Sequence, residues 1–116
     1  LDISSYAKNN AKKEIKNNIV KKDLNYKLEY KDKEFDLVIS INTLHNLKIQ
    51  KIVQCLSEIQ RVGISKFICV ESYRNNREQF NLQCWALTAE TLIDTSAWKW
   101  LMKISGYNGD YEFIYF

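Results

Sequence analysis

The sequence predicts an α/β fold with a doubly wound, mostly parallel sheet. Three observations support this prediction: apolar runs alternate with helix-like apolar stripes, the longest run is apolar almost throughout, and polar residues follow directly after the runs. Strands that alternate with amphipathic helices are typical of parallel sheets. Because the chain has 116 residues, no Pro and no low-complexity linker, we expect a single domain over residues 1–116.

The N-terminal segment predicts a strand, a helix and a second strand. Residues 1–3 are predicted to end a strand, and Ser4 or Ser5 can cap a following helix with its side-chain oxygen. A short strand is expected over residues 19–23. The helix between them is predicted over residues 6–17, because small and apolar residues recur on one narrow face: Ala7, Ala11 and Ile15.

The middle of the chain contains the clearest elements. After a polar loop or hairpin at residues 25–34, residues 35–41 are almost continuously apolar, which predicts a strand buried on both faces. Gly63 is expected to end the next helix in a left-handed conformation, and residues 67–70 predict a second buried strand. The helix itself is indicated by an apolar stripe at helical spacing: Ile49, Ile52, Val53, Leu56, Ile59 and Val62.

The last third of the chain predicts one more helix and a final strand, preceded by weaker signals. The predicted elements, in order, are a partly helical segment at residues 75–87, an ambiguous segment at 88–94 for which an extended conformation fits best, a helix capped by Thr95 or Ser96 and closed by Gly106, and an aromatic strand at 111–116.

Charge and hydropathy argue against nucleic-acid and membrane partners. The net charge is +3, and the many N-terminal lysines are interleaved with acidic residues, while only three arginines occur in the chain. This pattern favours a solvated surface over a phosphate-binding patch. No apolar stretch reaches the roughly 18 residues of a membrane span. The chain lacks both a signal peptide and an initiator Met, which predicts a processed product or a fragment.

The cysteines indicate a reducing compartment. Cys55, Cys69 and Cys84 form no Cys-x-x-Cys pair, and the chain contains a single His, so we expect neither a zinc site nor a disulfide framework. Cys55 and Cys69 fall inside apolar runs and are predicted to be small buried side chains. We therefore expect a cytoplasmic protein without a bound metal.

Two acidic residues at the ends of early strands are candidate ligand-binding residues. Doubly wound sheets bind ligands beyond the carboxyl ends of their strands, where a carboxylate can accept hydrogen bonds from both ribose hydroxyls. Asp2 occupies such a position, although an acid at the start of a chain is also unremarkable. Asp23, followed by Leu24, can accept from an adenine amine or can simply form a turn.

Polar residues also follow the two strongest strands. His45 lies just after the strand at residues 35–41 and can act as a general base near neutral pH. Chemistry alone favours a role for it in capping or packing the next helix. After the second strong strand, Glu71, Tyr73 and Arg74 can line a substrate-binding mouth or belong to a polar loop. Trp85, Trp98 and Trp100 can also shape this pocket, although Trp98 and Trp100 fit better as core and surface residues of a short helix.

The chain resembles class I S-adenosylmethionine-dependent methyltransferases in segments that follow one another in the same order and spacing: LDISSYAKNNAK, KKDL, FDLVISINTLHNL, LSEIQRV and FICVESYRN. The most specific is EFDLVISINTLHNL, which is similar to the fourth motif of that family. The late segment AWKWLMKISGYNGDY resembles an uncharacterised bacterial group of the same family. The resemblance implies a Rossmann-like fold, S-adenosylmethionine as cofactor and methyl transfer to a small-molecule acceptor.

The resemblance also implies roles for individual residues. It places His45 on the acceptor side as the catalytic residue, and Tyr73 and Arg74 remain the candidates for contact with the acceptor. The implied cofactor contacts are Asp2 to the ribose, Ile3 against the adenine, Asp23 and Leu24 at the adenine edge, and Ile41, Asn42 and Leu44 beneath the methionine moiety and the methyl group.

The chain departs from this family at one conserved feature of the fold. The family begins with a strand and a glycine-rich turn, typically GxGxG, whereas this chain contains only Gly63, Gly106 and Gly109. The resemblance therefore implies an N-terminally truncated domain that lacks its central strand. We expect an apolar slot beside residues 35–41, filled by a preceding segment or by a second copy in a homo-oligomer. We also expect the 116 residues alone to bind S-adenosylmethionine weakly or not at all.

Two other functions are compatible with parts of the sequence. A truncated, non-catalytic relative can serve as a binding or regulatory subunit. A nicotinamide-dependent oxidoreductase would share the acid after the second strand. The segment FDLVISINTLHNL and the lack of a Tyr-x-x-x-Lys pair disfavour the oxidoreductase.

Overall fold

A computed structural model describes all of residues 1–116. Its sheet has three strands, all parallel, in the order β1-β2-β3. The strands are β1 (Phe35–Ile41), β2 (Gly63–Glu71) and β3 (Asp110–Ile114), and the helices are α1 (Ser5–Asn10), α2 (Lys13–Lys16), α3 (Ile49–Val62), α4 (Asn76–Trp85) and α5 (Thr95–Ile104), with a 3-10 turn at Leu44–Asn46. This confirms the predicted Rossmann-like α/β class with a parallel sheet.

The register of the sheet brings the carboxyl ends of the three strands together. Ile41, the last residue of β1, lies opposite Cys69, and Glu71, the last residue of β2, lies opposite Ile114 of β3. Parallel strands are joined by crossover connections, which here contain α3 between β1 and β2, and α4 and α5 between β2 and β3. The residues that follow these strands therefore share one edge of the sheet.

The core lies on one face of the sheet, between β2 and the helices α3 and α5. The predicted helix is confirmed as α3, and Ile52, Leu56 and Ile59 of its apolar stripe are buried in this core, whereas Ile49 at its first position is 42% exposed. The core residues are Leu44, Leu47, Ile52, Cys55, Leu56, Ile59, Ile68, Val70, Trp98, Leu101, Met102 and Tyr107.

None of the helices combines the length and the apolar character needed to cross a lipid bilayer.

The prediction that β1 is buried on both faces is wrong. Leu37, Ile39 and Ile41 are 54%, 55% and 56% exposed, whereas Val38 between them packs against the core. The reason is that β1 is an edge strand and that α3 packs on only one of its faces, the face of Val38. The apolar pattern predicted the strand correctly, but no other part of residues 1–116 covers the second face of β1.

The N-terminal elements are shorter than predicted. Instead of one helix over residues 6–17, α1 and α2 are separated by a break at Ala11, whose ψ of 151° is extended. Neither helix has a buried residue, and short helices without tertiary packing are only marginally stable. Ser4 caps α1 as expected, accepting from the Ala7 amide. The two predicted strands reduce to a single parallel bridge between Asp2 and Lys21.

Two capping predictions in the second half are also wrong. Gly63 is not left-handed but extended, with φ −100° and ψ 136°, because α3 leads directly into β2, which begins there instead of at residue 67. The helix α5 is capped by Asp94, whose carboxylate accepts from the Ala97 amide at 2.7 Å, instead of by Thr95 or Ser96. Gly106 follows the end of α5 as predicted, and it is left-handed, with φ +72°.

Candidate functional site

A groove of about 390 Å³ separates the N-terminal segment from the free edge of β1. It occupies the position at which we expected an apolar slot. Leu24 and Ile41, both predicted to contact a cofactor, line this groove together. Its walls are mostly apolar and come from both sides, including Leu1, Val20 and Leu24 from the N-terminal segment and Leu37, Ile39 and Ile41 from β1.

Asp2 is held in place by its backbone and keeps most of its carboxylate free. Its amide donates to the Val20 carbonyl at 3.2 Å, and its carbonyl accepts from the Lys22 amide at 2.9 Å. One carboxylate oxygen accepts from the Ser4 amide at 2.7 Å, and the residue is exposed. Ile3 beside it is also exposed. Both side chains are therefore accessible to a ligand.

Asp23 follows the bridged segment and forms a turn. Its Oδ1 accepts from both the amide and the side-chain nitrogen of Asn25, at 2.9 Å and 2.8 Å. This geometry is that of a turn aspartate, and it leaves the second carboxylate oxygen without a hydrogen bond inside the chain. Leu24 is half-buried and packs against the core from the groove side.

The chain bends sharply where β1 ends. Asn42 adopts φ +50°, a left-handed conformation that Asn tolerates better than most residues. Its amide donates to the Cys69 carbonyl at 3.0 Å, which extends the pairing of β1 with β2 by one step. Two residues later, Leu44 is fully buried in the core, so it anchors the segment while Ile41 and Asn42 remain exposed.

His45 and Glu71 form a buried pair at this edge of the sheet. His45 Nδ1 lies 2.5 Å from Glu71 Oε2, and both residues are buried. The other oxygen, Glu71 Oε1, is buried without any hydrogen-bond partner. The backbone carbonyl of His45 accepts from the amides of Glu90 and Thr91, which fixes the loop after α4 against the 3-10 turn.

An aromatic wall stands beside this pair. The ring centroids of Trp85 and His45 are 6.3 Å apart in an edge-to-face arrangement, and the ring centroids of Trp85 and Phe116 are 4.7 Å apart. Trp85 is half-exposed. The arrangement therefore presents one flat aromatic surface to solvent next to the imidazole.

Arg74 contacts two neighbouring side chains at the same edge of the sheet. Its guanidinium forms an ion pair with Glu78, with Nη2 and Oε1 2.5 Å apart, and stacks 3.9 Å above the ring of Tyr115. The hydrogen bond from Arg74 holds the pKa of Glu78 below its ordinary value. Tyr73 accepts a weak hydrogen bond from Gln79 at 3.4 Å. Both predicted acceptor contacts thus lie at the carboxyl end of β2, although Arg74 has internal partners.

Residues 1–69 match the sequence model of the methyltransferase domain family. The chain belongs to the class I S-adenosylmethionine-dependent methyltransferases. The match runs from the Asp2 bridge through β1 and α3 and ends within β2. No curated protein and no solved structure matches the chain significantly.

The structure of this methyltransferase chain brings together residues that the sequence analysis considered only separately. Glu71 pairs with His45, and Trp85 and Phe116 form the adjoining wall. Of these residues, Phe116 was not singled out from the sequence, and the pairing of Glu71 with His45 was not predicted. The structure shows no group of three His, Cys, Asp or Glu side chains arranged to hold a metal ion.

Proposed function

We propose that this chain is part of the catalytic domain of an S-adenosylmethionine-dependent methyltransferase that acts on a small-molecule acceptor. The observation that carries the proposal is the position of the groove, which is lined by Leu1 and Val20 next to the Asp2–Lys21 bridge and by Ile41 at the exposed end of β1. Open α/β sheets bind their ligands beyond the carboxyl ends of the strands, which is the end of the groove that Ile41 borders. The match to the methyltransferase domain family over residues 1–69 supports the same conclusion.

Of the residues predicted to contact the cofactor, Leu24 and Ile41 line the groove, and the others lie within two positions in the sequence of residues that line it. The free carboxylate oxygen of Asp2 can accept from a ribose hydroxyl, while Ile3 offers an apolar surface for the adenine. Asp23 retains one free oxygen for the exocyclic amine, beside Leu24. The methionine end would lie over Ile41 and Asn42, with the buried Leu44 holding that backbone in place. When bound, S-adenosylmethionine supplies an activated methyl group.

We propose that the groove accepts one further β-strand, which carries the glycine-rich turn of the family. The edge of β1 presents unpaired backbone groups, and Ser40 Oγ beside it is buried without a hydrogen-bond partner. A strand in this position would pair with the free edge of β1 and place its own side chains next to Leu37, Ile39 and Ile41. The strand comes from a segment before Leu1 or from a second copy of the chain.

We expect the methyl acceptor to bind at the same carboxyl edge of the sheet, on the side away from the groove. His45 is the proposed general base, and Tyr73 with Arg74 borders the acceptor pocket. Methyl transfer depends mainly on holding the nucleophile in line with the methyl group, with a base assisting where the acceptor carries a proton. The aromatic wall of Trp85 and Phe116 provides a surface for that orientation.

We place this activity in the cytoplasm. The three cysteines are free, and Cys55 and Cys69 are buried. Burial raises the pKa of the Cys55 thiol to about 12, so this side chain behaves as an unreactive apolar group. Buried free thiols are typical of proteins from a reducing compartment.

Calorimetric titration with S-adenosylmethionine tests the proposal. We expect the natural full-length protein to bind with a Kd on the order of micromolar and residues 1–116 alone to bind far more weakly, because the groove then lacks its strand. Absence of binding by the full-length protein contradicts the proposal. If a full-length variant with Asp2 replaced binds S-adenosylmethionine as tightly as the wild type does, the proposed cofactor site is contradicted.

The open edge of β1 also favours a second candidate, a non-catalytic subunit that completes its sheet with a partner chain. Native mass spectrometry of the natural protein distinguishes the two. A cofactor-free complex supports the subunit, whereas a cofactor-free monomer counts against it.

A further inference from the structure

We infer that Glu71 is the positioning residue for His45: its buried carboxylate selects the tautomer in which Nε2 is free to take a proton from the acceptor. This inference rests on the proposed methyltransferase function and narrows its substrate class. The acceptor is a hydroxyl or amine compound whose nucleophilic atom must lose a proton as it is methylated.

The first support is the way in which the pair is held. Nδ1 of His45 faces Glu71 Oε2 at 2.5 Å, and the side chain of Glu71 is fully buried. The indole nitrogen of Trp98 donates to the carbonyl of Glu71, while the amides of Glu90 and Thr91 bind the carbonyl of His45. These hydrogen bonds hold the backbones of the two residues in place, so their side chains stay within reach of each other.

The second support is the state of the other imidazole nitrogen. Nε2 of His45 makes no hydrogen bond within the chain and is not among the fully buried atoms that lack a partner. An ionised carboxylate only accepts hydrogen bonds, so the nitrogen that faces it carries the proton. Nε2 then has a free lone pair at the open side of the pair, next to the half-exposed ring of Trp85.

The third support is the cost of the carboxylate. Glu71 Oε1 is buried without a partner, and a half-satisfied buried polar group is less stable than well-packed apolar residues. Stability therefore does not explain a glutamate at this position. A functional requirement on the orientation of the His45 ring does, because a carboxylate that pairs with one imidazole nitrogen determines which nitrogen carries the proton.

The chemistry that follows is a coupled transfer. A bond forms between the acceptor oxygen or nitrogen and the methyl carbon as the methyl–sulfur bond breaks, and the sulfur keeps the electron pair. The acceptor proton passes to Nε2, and the resulting imidazolium is stabilised by the carboxylate of Glu71. An acceptor without such a proton, for example a thioether, would not need this pair.

The test is the tautomer of His45, measured from the ¹⁵N chemical shifts of its ring by NMR on the natural full-length protein. His45→Gln assigns the signal, because His45 is the only histidine of these 116 residues. We expect the proton on Nδ1 in the wild type. In Glu71→Leu, which is of similar size and apolar, we expect the proton to move to Nε2.

Glu112→Gln is the matched control, because it removes an exposed carboxylate from the neighbouring strand and should leave the tautomer unchanged. A wild-type proton on Nε2 overturns the inference, and so does an unchanged tautomer in Glu71→Leu. If Glu71→Leu fails to fold, the wild-type tautomer alone decides. A wild-type protein that binds the cofactor but carries the His45 proton on Nε2 would overturn this inference and leave the proposed function standing.

Discussion

Trp98 links the core of the protein to its candidate site. It is fully buried between α5 and the sheet, and its Nε1 donates a hydrogen bond to the backbone carbonyl of Glu71 at 3.2 Å. Glu71 is the last residue of β2 and the partner of His45. The packing of α5 therefore determines where the carboxyl end of β2 lies.

Trp98→Phe is expected to lower the free energy of unfolding by about 2–4 kcal/mol, because it leaves a buried carbonyl unpaired and removes core volume. Trp100→Phe on the same helix is the control: Trp100 is mostly exposed, and its substitution should change stability by no more than about 0.5 kcal/mol. Urea unfolding of both variants measures the difference. Equal losses of unfolding free energy in the two variants would show that the burial and the hydrogen bond of Trp98 do not stabilise the fold.

Glu58 is expected to make stability depend on pH. Its carboxylate accepts from the Arg61 guanidinium and from the Leu28 amide, and the hydrogen bond to Arg61 is the main reason that its pKa is lowered from 4.5. A lowered pKa stabilises the fold above about 4.5, and this contribution is lost as the pH falls through the folded pKa. Glu58→Gln should therefore cost about 1–3 kcal/mol at neutral pH and progressively less below pH 4.5.

The measurement is the free energy of unfolding of wild type and Glu58→Gln between pH 7 and about 3. Glu14→Gln is a suitable control, because Glu14 is exposed and forms no ion pair within the chain. A difference between wild type and Glu58→Gln that stays constant over this range would contradict the prediction.

Gly63 and Gly106 are expected to respond differently to substitution. A Cβ at Gly63 would lie 2.9 Å from Val38 Cγ2 and 2.9 Å from Lys66 Cγ, whereas Gly106 is surrounded by open space but has φ +72°. Both Ala and Asn at position 63 should destabilise the protein, by about 1–3 kcal/mol, through overpacking. At position 106, Ala should cost about 1 kcal/mol and Asn less, because Asn tolerates the left-handed conformation.

Thermal unfolding of these variants provides the measurement. Should Asn be tolerated at position 63 better than Ala, the close approach of Val38 would not be the constraint on this glycine.

These glycines show what the sequence could and could not predict. The pattern of apolar residues predicted β1, α3 and the parallel sheet, because periodicity reflects burial directly. It placed a left-handed cap at Gly63, since a glycine after a helix usually has that role. The close contact with Val38 depends on how β1 and β2 pair, which no local pattern contains.

The candidate site was predicted to a similar degree. Strand ends identified Asp2, Asp23 and His45, because ligands bind parallel sheets at that edge. The pairing of Glu71 with His45 was not predicted, since the two residues are 26 positions apart in the sequence and the contact requires the register of the sheet. The exposure of Leu37, Ile39 and Ile41 was also missed. An apolar run predicts that a strand is buried, but it does not show whether the covering residues lie within residues 1–116 or outside them.

Asp2→Ala is expected to weaken binding of S-adenosylmethionine by the natural full-length protein by about 10–100-fold. Hydrogen bonds to a charged group contribute about 1.5–3 kcal/mol, which corresponds to that range. Asp36→Ala is the control, because this exposed acid lies near the start of β1, away from the carboxyl edge. Calorimetry should show reduced affinity for Asp2→Ala only. Equal affinity for both variants would exclude Asp2 from the cofactor site.

Ile39→Lys tests whether the groove beside β1 is filled in the natural full-length protein. Ile39 and Ile64 are exposed to nearly the same extent in residues 1–116, at 55% and 54%, but only Ile39 lines the groove. If a further strand covers Ile39, a lysine there places a charge in an apolar contact, and we expect a loss of stability of more than about 2 kcal/mol. Ile64→Lys should change stability by no more than about 0.5 kcal/mol.

Urea unfolding of the two full-length variants gives the comparison, and size-exclusion chromatography identifies the source of the strand. A strand from a second copy makes Ile39→Lys shift from oligomer to monomer, whereas a strand from the same chain leaves the elution volume unchanged. Equal stabilities of the two lysine variants would mean that the edge of β1 stays open, so the cofactor site would lack the strand on which the proposed binding depends.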